Sequence, residues 1–117
     1  MYVIYGIPNC DIIKKVIVWF DSHKIPYTFH DYKKSGIEVD KLQEWIAQRG
    51  IEIILNKRST TWRELDAKTQ ESALDEKKAI QLMTENTSLI KRPVIERGNK
   101  VIVVGFNADE YAKLFKK

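Results

Sequence analysis

One cysteine, Cys10, stands where a β-rich opening gives way to a helical pattern. The run Gly6-Ile7-Pro8-Asn9 breaks the strand of Met1 to Tyr5, and Asn9 or Cys10 supplies the start of a helix over Asp11–His23. A helix start carries backbone N–H groups without intrahelical partners and the positive end of the dipole. Both favour a thiolate over a thiol, so a cysteine placed there reacts as a nucleophile at lower pH than a free one. Lys14, one turn on, adds positive charge, and Asp11 opposes it. The plain alternative for a lone cysteine is a small buried hydrophobe. The Pro-Asn turn entering a helix favours the reactive reading. Ile13, not a second cysteine, stands three residues on, so any redox cycle needs an external thiol.

Arg58, in the loop Asn56-Lys57-Arg58-Ser59, and Arg92, immediately before Pro93, are the next candidates. Loop arginines can hold an oxyanion or a carboxylate through two parallel hydrogen bonds, although most surface arginines hold nothing. Pro93 heads a strand, where its missing N–H is tolerated. Trp19, Trp45 and Trp62 read as buried or half-buried anchors, not as platforms for nucleic-acid bases.

The surrounding elements must bring these residues to one end of a sheet. Ile12, Ile13, Val16, Ile17 and Phe20 recur at helical spacing, and Tyr27–Tyr32 alternates as a second strand. Strand, helix and strand form a right-handed βαβ unit with parallel strands. Cys10 then lies at the carboxyl end of the first strand, where ligands of parallel sheets bind. Glu38–Arg49 reads as a helix with Val39, Leu42, Trp45 and Ile46 on one face and Gly50 behind it. Thr61 to Glu64 has capping-box spacing, and Asp75–Asn86 reads as a further helix. Pro93–Glu96 and Val101–Val104 are joined by the hairpin signal Arg97-Gly98-Asn99-Lys100. Asn107 caps a last helix from Ala108 to Phe115, with Tyr111, Leu114 and Phe115 turned inward. The expectation is one α/β domain over residues 1–117, a βαβ unit and a terminal ββα joined by a helical insertion over residues 36–88.

Composition excludes several classes. No apolar run approaches a membrane span, and the start lacks the pattern of a signal peptide, so a cytoplasmic monomer is expected. The single cysteine, His23 and His30 are too few and too scattered for a metal site. The net charge of +4 suits an anionic ligand or acidic partner. The basic residues are interleaved with acidic ones, which argues against a nucleic-acid face.

Gly6-Ile7-Pro8-Asn9-Cys10-Asp11 followed by Ile13-Lys14-Lys15 resembles the active-site loop of the arsenate reductase family, in its YffB-like or Spx-like branch. Leu55-Asn56-Lys57-Arg58-Ser59-Thr60-Thr61-Trp62-Arg63, Leu89-Ile90-Lys91-Arg92-Pro93 and Val104-Gly105-Phe106-Asn107 extend the resemblance over nearly the whole chain. It implies a thioredoxin-like fold with a helical insertion and a cis bond before Pro93. It also implies that Cys10 attacks the substrate and that Arg58 and Arg92 hold it; Asn9 and Pro93 are the expected positioning residues of the loop, and Lys14 is a further candidate for the anion. It further implies a small thiol such as glutathione as co-substrate, no bound cofactor, and a glutaredoxin-like partner that resolves the mixed disulfide. Where arsenate reductases carry a histidine four residues before the cysteine, this chain has Gly6; where they carry a third arginine, it has Gly105-Phe106-Asn107. The same resemblance implies an alternative: a non-catalytic regulator that binds RNA polymerase. Spx regulators often switch through Cys-x-x-Cys, which Ile13 removes here.

Overall fold

The computed structural model describes residues 1–115, which divide into two compact units: residues 1–31 with 92–115, and residues 32–91. The first unit holds β1 (Tyr2–Gly6), α1 (Asp11–Ser22), β2 (Tyr27–Asp31), β3 (Val94–Arg97), β4 (Lys100–Val104) and α8 (Ala108–Leu114). The second holds α2 (Tyr32–Ser35), α3 (Val39–Arg49), α4 (Ile51–Ile54), α5 (Thr60–Glu64), α6 (Ala67–Ser72), α7 (Glu76–Glu85) and a 3₁₀ turn over Thr87–Leu89.

The sheet order is β2-β1-β3-β4. β1 and β2 are parallel, with Tyr2 opposite Tyr27 and Gly6 opposite Asp31. β3 is antiparallel to both β1 and β4. This is the thioredoxin-like α/β arrangement expected from the sequence. Gly98 and Asn99 both adopt positive φ (57° and 65°), which a two-residue hairpin turn requires and which Asn and Gly tolerate best. β3 begins at Val94 and not at Pro93, whose preceding peptide bond is cis.

Alternation sends Ile4, Ile95 and Val103 to one face of the sheet. There they form a core with Val16 and Phe20 of α1 and with Tyr111 and Phe115 at the chain's end. Edge-to-face ring contacts join Phe20 to Phe115 (5.0 Å) and Trp19 to Tyr111 (5.3 Å). Leu114, expected inward, is 42% exposed, because α8 has one buried stripe and Tyr111 and Phe115 occupy it. Ile12 and Val39, also counted among the apolar stripes, are exposed near their helix starts.

The second unit is built on α3, which buries Leu42, Trp45 and Ile46, and α7, which buries Ala79, Ile80 and Met83. Trp45 meets the Tyr32 ring edge-to-face at 6.4 Å. Gly50 ends α3 at φ 90°, and α4 starts directly behind it. The capping box at Thr61 does not form. Ser59 caps α5 instead, accepting a hydrogen bond from the Trp62 N–H at 3.1 Å, while the Thr61 hydroxyl pairs with Ser88 at 2.7 Å. No helix among the described residues is long and apolar enough to cross a membrane.

Candidate active site

β1 ends at Gly6, and the chain turns through Ile7 to Asn9 so that the Cys10 N–H donates to the Ile7 carbonyl at 3.2 Å. Cys10 is the N-cap of α1, with extended backbone (φ −104°, ψ 129°), and its carbonyl accepts the first helical hydrogen bond, from Lys14 N–H at 3.0 Å. Its side chain closes no cap hydrogen bond, so the amides of the first turn remain open toward the sulfur. The thiol is half-buried.

Partial burial pushes the Cys10 pKa up. The Ile13 N–H, the Arg92 guanidinium and the Ile12 N–H act together in the opposite direction and prevail, so the thiol ionises below the ordinary cysteine range. Arg92 acts both by hydrogen bonding and by charge. Lys14 is not among the groups that lower it. Lys14 lines a hollow with Val18, Trp19 and Phe106. Asn9 is exposed on the loop, and Pro93 is buried between Arg92 and β3.

Ile12 and Ile13 contribute through their backbone, which residue-type reasoning passes over; the signal was their place in the first turn behind Cys10. Ile13 is also fully buried, and it fills the space in front of Gly6: a Cβ at Gly6 would run into the Ile13 side chain. The first unit therefore has no room for a larger side chain at the place where arsenate reductases carry histidine, unless Ile13 moves.

Arg58 belongs to the second unit. The antiparallel bridge Leu55–Ile90, with the Asn56 N–H donating to Leu89 at 2.7 Å, anchors its loop. The Asn56 side chain accepts the Arg58 N–H at 3.2 Å, and the Ser59 hydroxyl donates to the Asn56 carbonyl at 3.0 Å. This turn leaves Arg58 exposed beside Lys57 and Lys91, around a hollow that Glu52 and Leu55 complete. Three cations against one carboxylate suit an anion. Among the described residues no cluster of three or more His, Cys, Asp or Glu is placed to hold a metal ion.

A model of the ArsC family matches residues 5–114. An uncharacterized protein of Haemophilus influenzae is 42% identical over 98% of this chain and 99% of its own. The global transcriptional regulator Spx of Streptococcus mutans is 30% identical over 94% of this chain and 80% of its own. Among solved structures, a YffB protein superposes with a TM-score of 0.91 at 46% identity, covering 99% of this chain and all of that one. An arsenate reductase related protein from Brucella melitensis gives 0.77 at 41%, covering 99% and 95%.

Proposed function

The chain belongs to the ArsC family, and on that premise we propose that it is a thiol-dependent reductase whose nucleophile is Cys10. One observation carries the reading: the sulfur sits at an uncapped helix start where two amides and the Arg92 guanidinium favour its ionised form. The ionised sulfur attacks a disulfide of a low-molecular-weight thiol. A Cys10–sulfur bond forms as the substrate S–S bond breaks, and the departing sulfur leaves as a thiolate and takes up a proton. The chain has one cysteine, so a second external thiol, from a small molecule or a glutaredoxin-like protein, attacks the mixed disulfide. That thiol is oxidised, and Cys10 returns as thiolate. The same anion-favouring environment accepts an oxyanion substrate, with Arg92 as its contact beside the sulfur. A cytoplasmic, glutathione-like reducing pool supplies the electrons.

Intact mass spectrometry after incubation with glutathione disulfide tests the reading. One glutathionyl adduct on Cys10 is expected, with an alkylation rate that inflects below about pH 8.5. No adduct, or an inflection at or above that pH, overturns it.

The Spx relative favours a second reading: a regulator that docks on RNA polymerase. A polymerase pull-down that persists in Cys10→Ser supports it, and a protein that retains no polymerase removes it.

A further inference from the structure

We propose that the outer face of α1 is a docking groove for an acidic amphipathic helix of a partner protein. This goes beyond the reductase reading, because the groove can be filled whether or not Cys10 reacts. The cavity has a volume of about 420 Å³ and is lined by Lys14, Lys15, Val18, Trp19, Ser22 and Phe106. Val18 is 66% exposed in the middle of a helix, where a solvated polar residue is the norm. Its two aromatic walls are held in place from beneath. Tyr111 packs edge-to-face with Trp19 at 5.3 Å and with Phe106 at 5.0 Å, so a ligand finds a preformed apolar floor.

The polar groups of the groove fix the sign of the partner. The Ser22 hydroxyl is already engaged, donating to the Trp19 carbonyl at 2.9 Å. Lys14 and Lys15 are exposed, and among the described residues neither forms an ion pair. An apolar floor rimmed by two exposed lysines fits a helix that presents bulky apolar side chains at i and i+4 with carboxylates beside them. A nucleic acid fits poorly, because one face of the Trp19 ring is already covered by His23, stacked at 4.0 Å and 21°. The groove begins one helical turn after Cys10, since the Lys14 N–H donates to the Cys10 carbonyl. A protein seated there holds its neighbouring surface close to the reactive sulfur.

The test uses the full chain, isotope-labelled for NMR, and a synthetic helical peptide of roughly 12 residues with leucines at i, i+4 and i+7 flanked by glutamates. Saturable shifts at Lys15, Val18, Phe106 and the Trp19 indole N–H are expected. Val18→Glu and Lys15→Glu, both at exposed sites, should each weaken binding about tenfold, and high salt should weaken it further. Cys10→Ser should bind unchanged, which separates this proposal from the reductase reading. Absence of saturable shifts, shifts centred elsewhere, equal binding of a lysine-flanked peptide, or tighter binding of a thymidine oligonucleotide each overturn it.

Discussion

Ser59 and Cys10 hold the same position, each the residue before the first turn of a helix, with similar extended backbones (φ −68°, ψ 151° and φ −104°, ψ 129°). At α5 the Ser59 oxygen accepts the Trp62 N–H and closes the turn. Asp66 and Asp75 do the same for α6 and α7, and Asn107 for α8. At α1 the cap atom is sulfur; it closes no full cap hydrogen bond, yet the Ile12 and Ile13 amides bear on it and favour its anion. Oxygen makes a helix start structural; a thiol leaves the same amides able to favour a negative charge. The contrast is a choice between local stability and a reactive anion at equivalent positions.

Exchanging the sulfur for oxygen gives the largest expected effect. Cys10→Ser should lose adduct formation with glutathione disulfide completely, because an alkoxide is inaccessible near neutral pH where a favoured thiolate is not. Circular dichroism should show an unchanged fold. A serine variant that still forms the adduct would remove Cys10 from the chemistry.

The second comparison is between the two arginines. Arg92 acts directly on Cys10, and Arg58 is not among the groups that lower its pKa. Arg92→Ala should therefore raise the Cys10 pKa and slow its alkylation by iodoacetamide near pH 7 several-fold, as the thiolate fraction falls. Arg58→Ala should leave the alkylation rate within about twofold of the parent. Equal slowing by both substitutions would show that Cys10 responds to general positive charge and not to a specific contact.

The two units also differ in how far their sequences disclose them. In the first, β-branched and aromatic alternation and a clean helical stripe name β1, α1 and β2. The Gly98-Asn99 turn has a backbone requirement that few residue types meet. Cys10 and Arg92, more than 80 positions apart, were each legible as candidates, but their meeting was not, since it depends on β3 pairing with β1. In the second unit, α3 and α7 show periodic apolar faces, whereas α2, α4 and α6 run for only four to six residues. Such segments are too short for a periodic signal and are held by tertiary packing. The cap of α5 was misplaced by two positions because both Ser59 and Thr61 suit the role. The choice fell to Ser59 once Thr61 was engaged by Ser88, 27 residues away.

Removing the oxygen from the closed cap gives a smaller effect. Ser59→Ala frees the Trp62 N–H and should cost about 1 kcal/mol in urea unfolding, with no change in the alkylation of Cys10. A cost near zero would mean that water replaces the hydroxyl and that the cap contributes little to α5.

The smallest effect, the pH dependence of stability, tests the contrast most directly. In the folded chain the Cys10 pKa lies below that of the unfolded chain, about 8.5. The thiolate therefore contributes stability that is fully present above about pH 8.5 and is lost as the pH falls through the lower, folded value. Cys10→Ser has no such contribution, but its hydroxyl can form the missing cap at every pH. The difference in Tm, serine variant minus parent, should thus be largest and positive near pH 5, shrink as the pH rises through the folded Cys10 pKa, and level off above about pH 8.5. Other titrating groups are common to both proteins and cancel in the difference. A difference that is flat from pH 5 to pH 9 would show that the open amides of α1 do not distinguish thiol from thiolate.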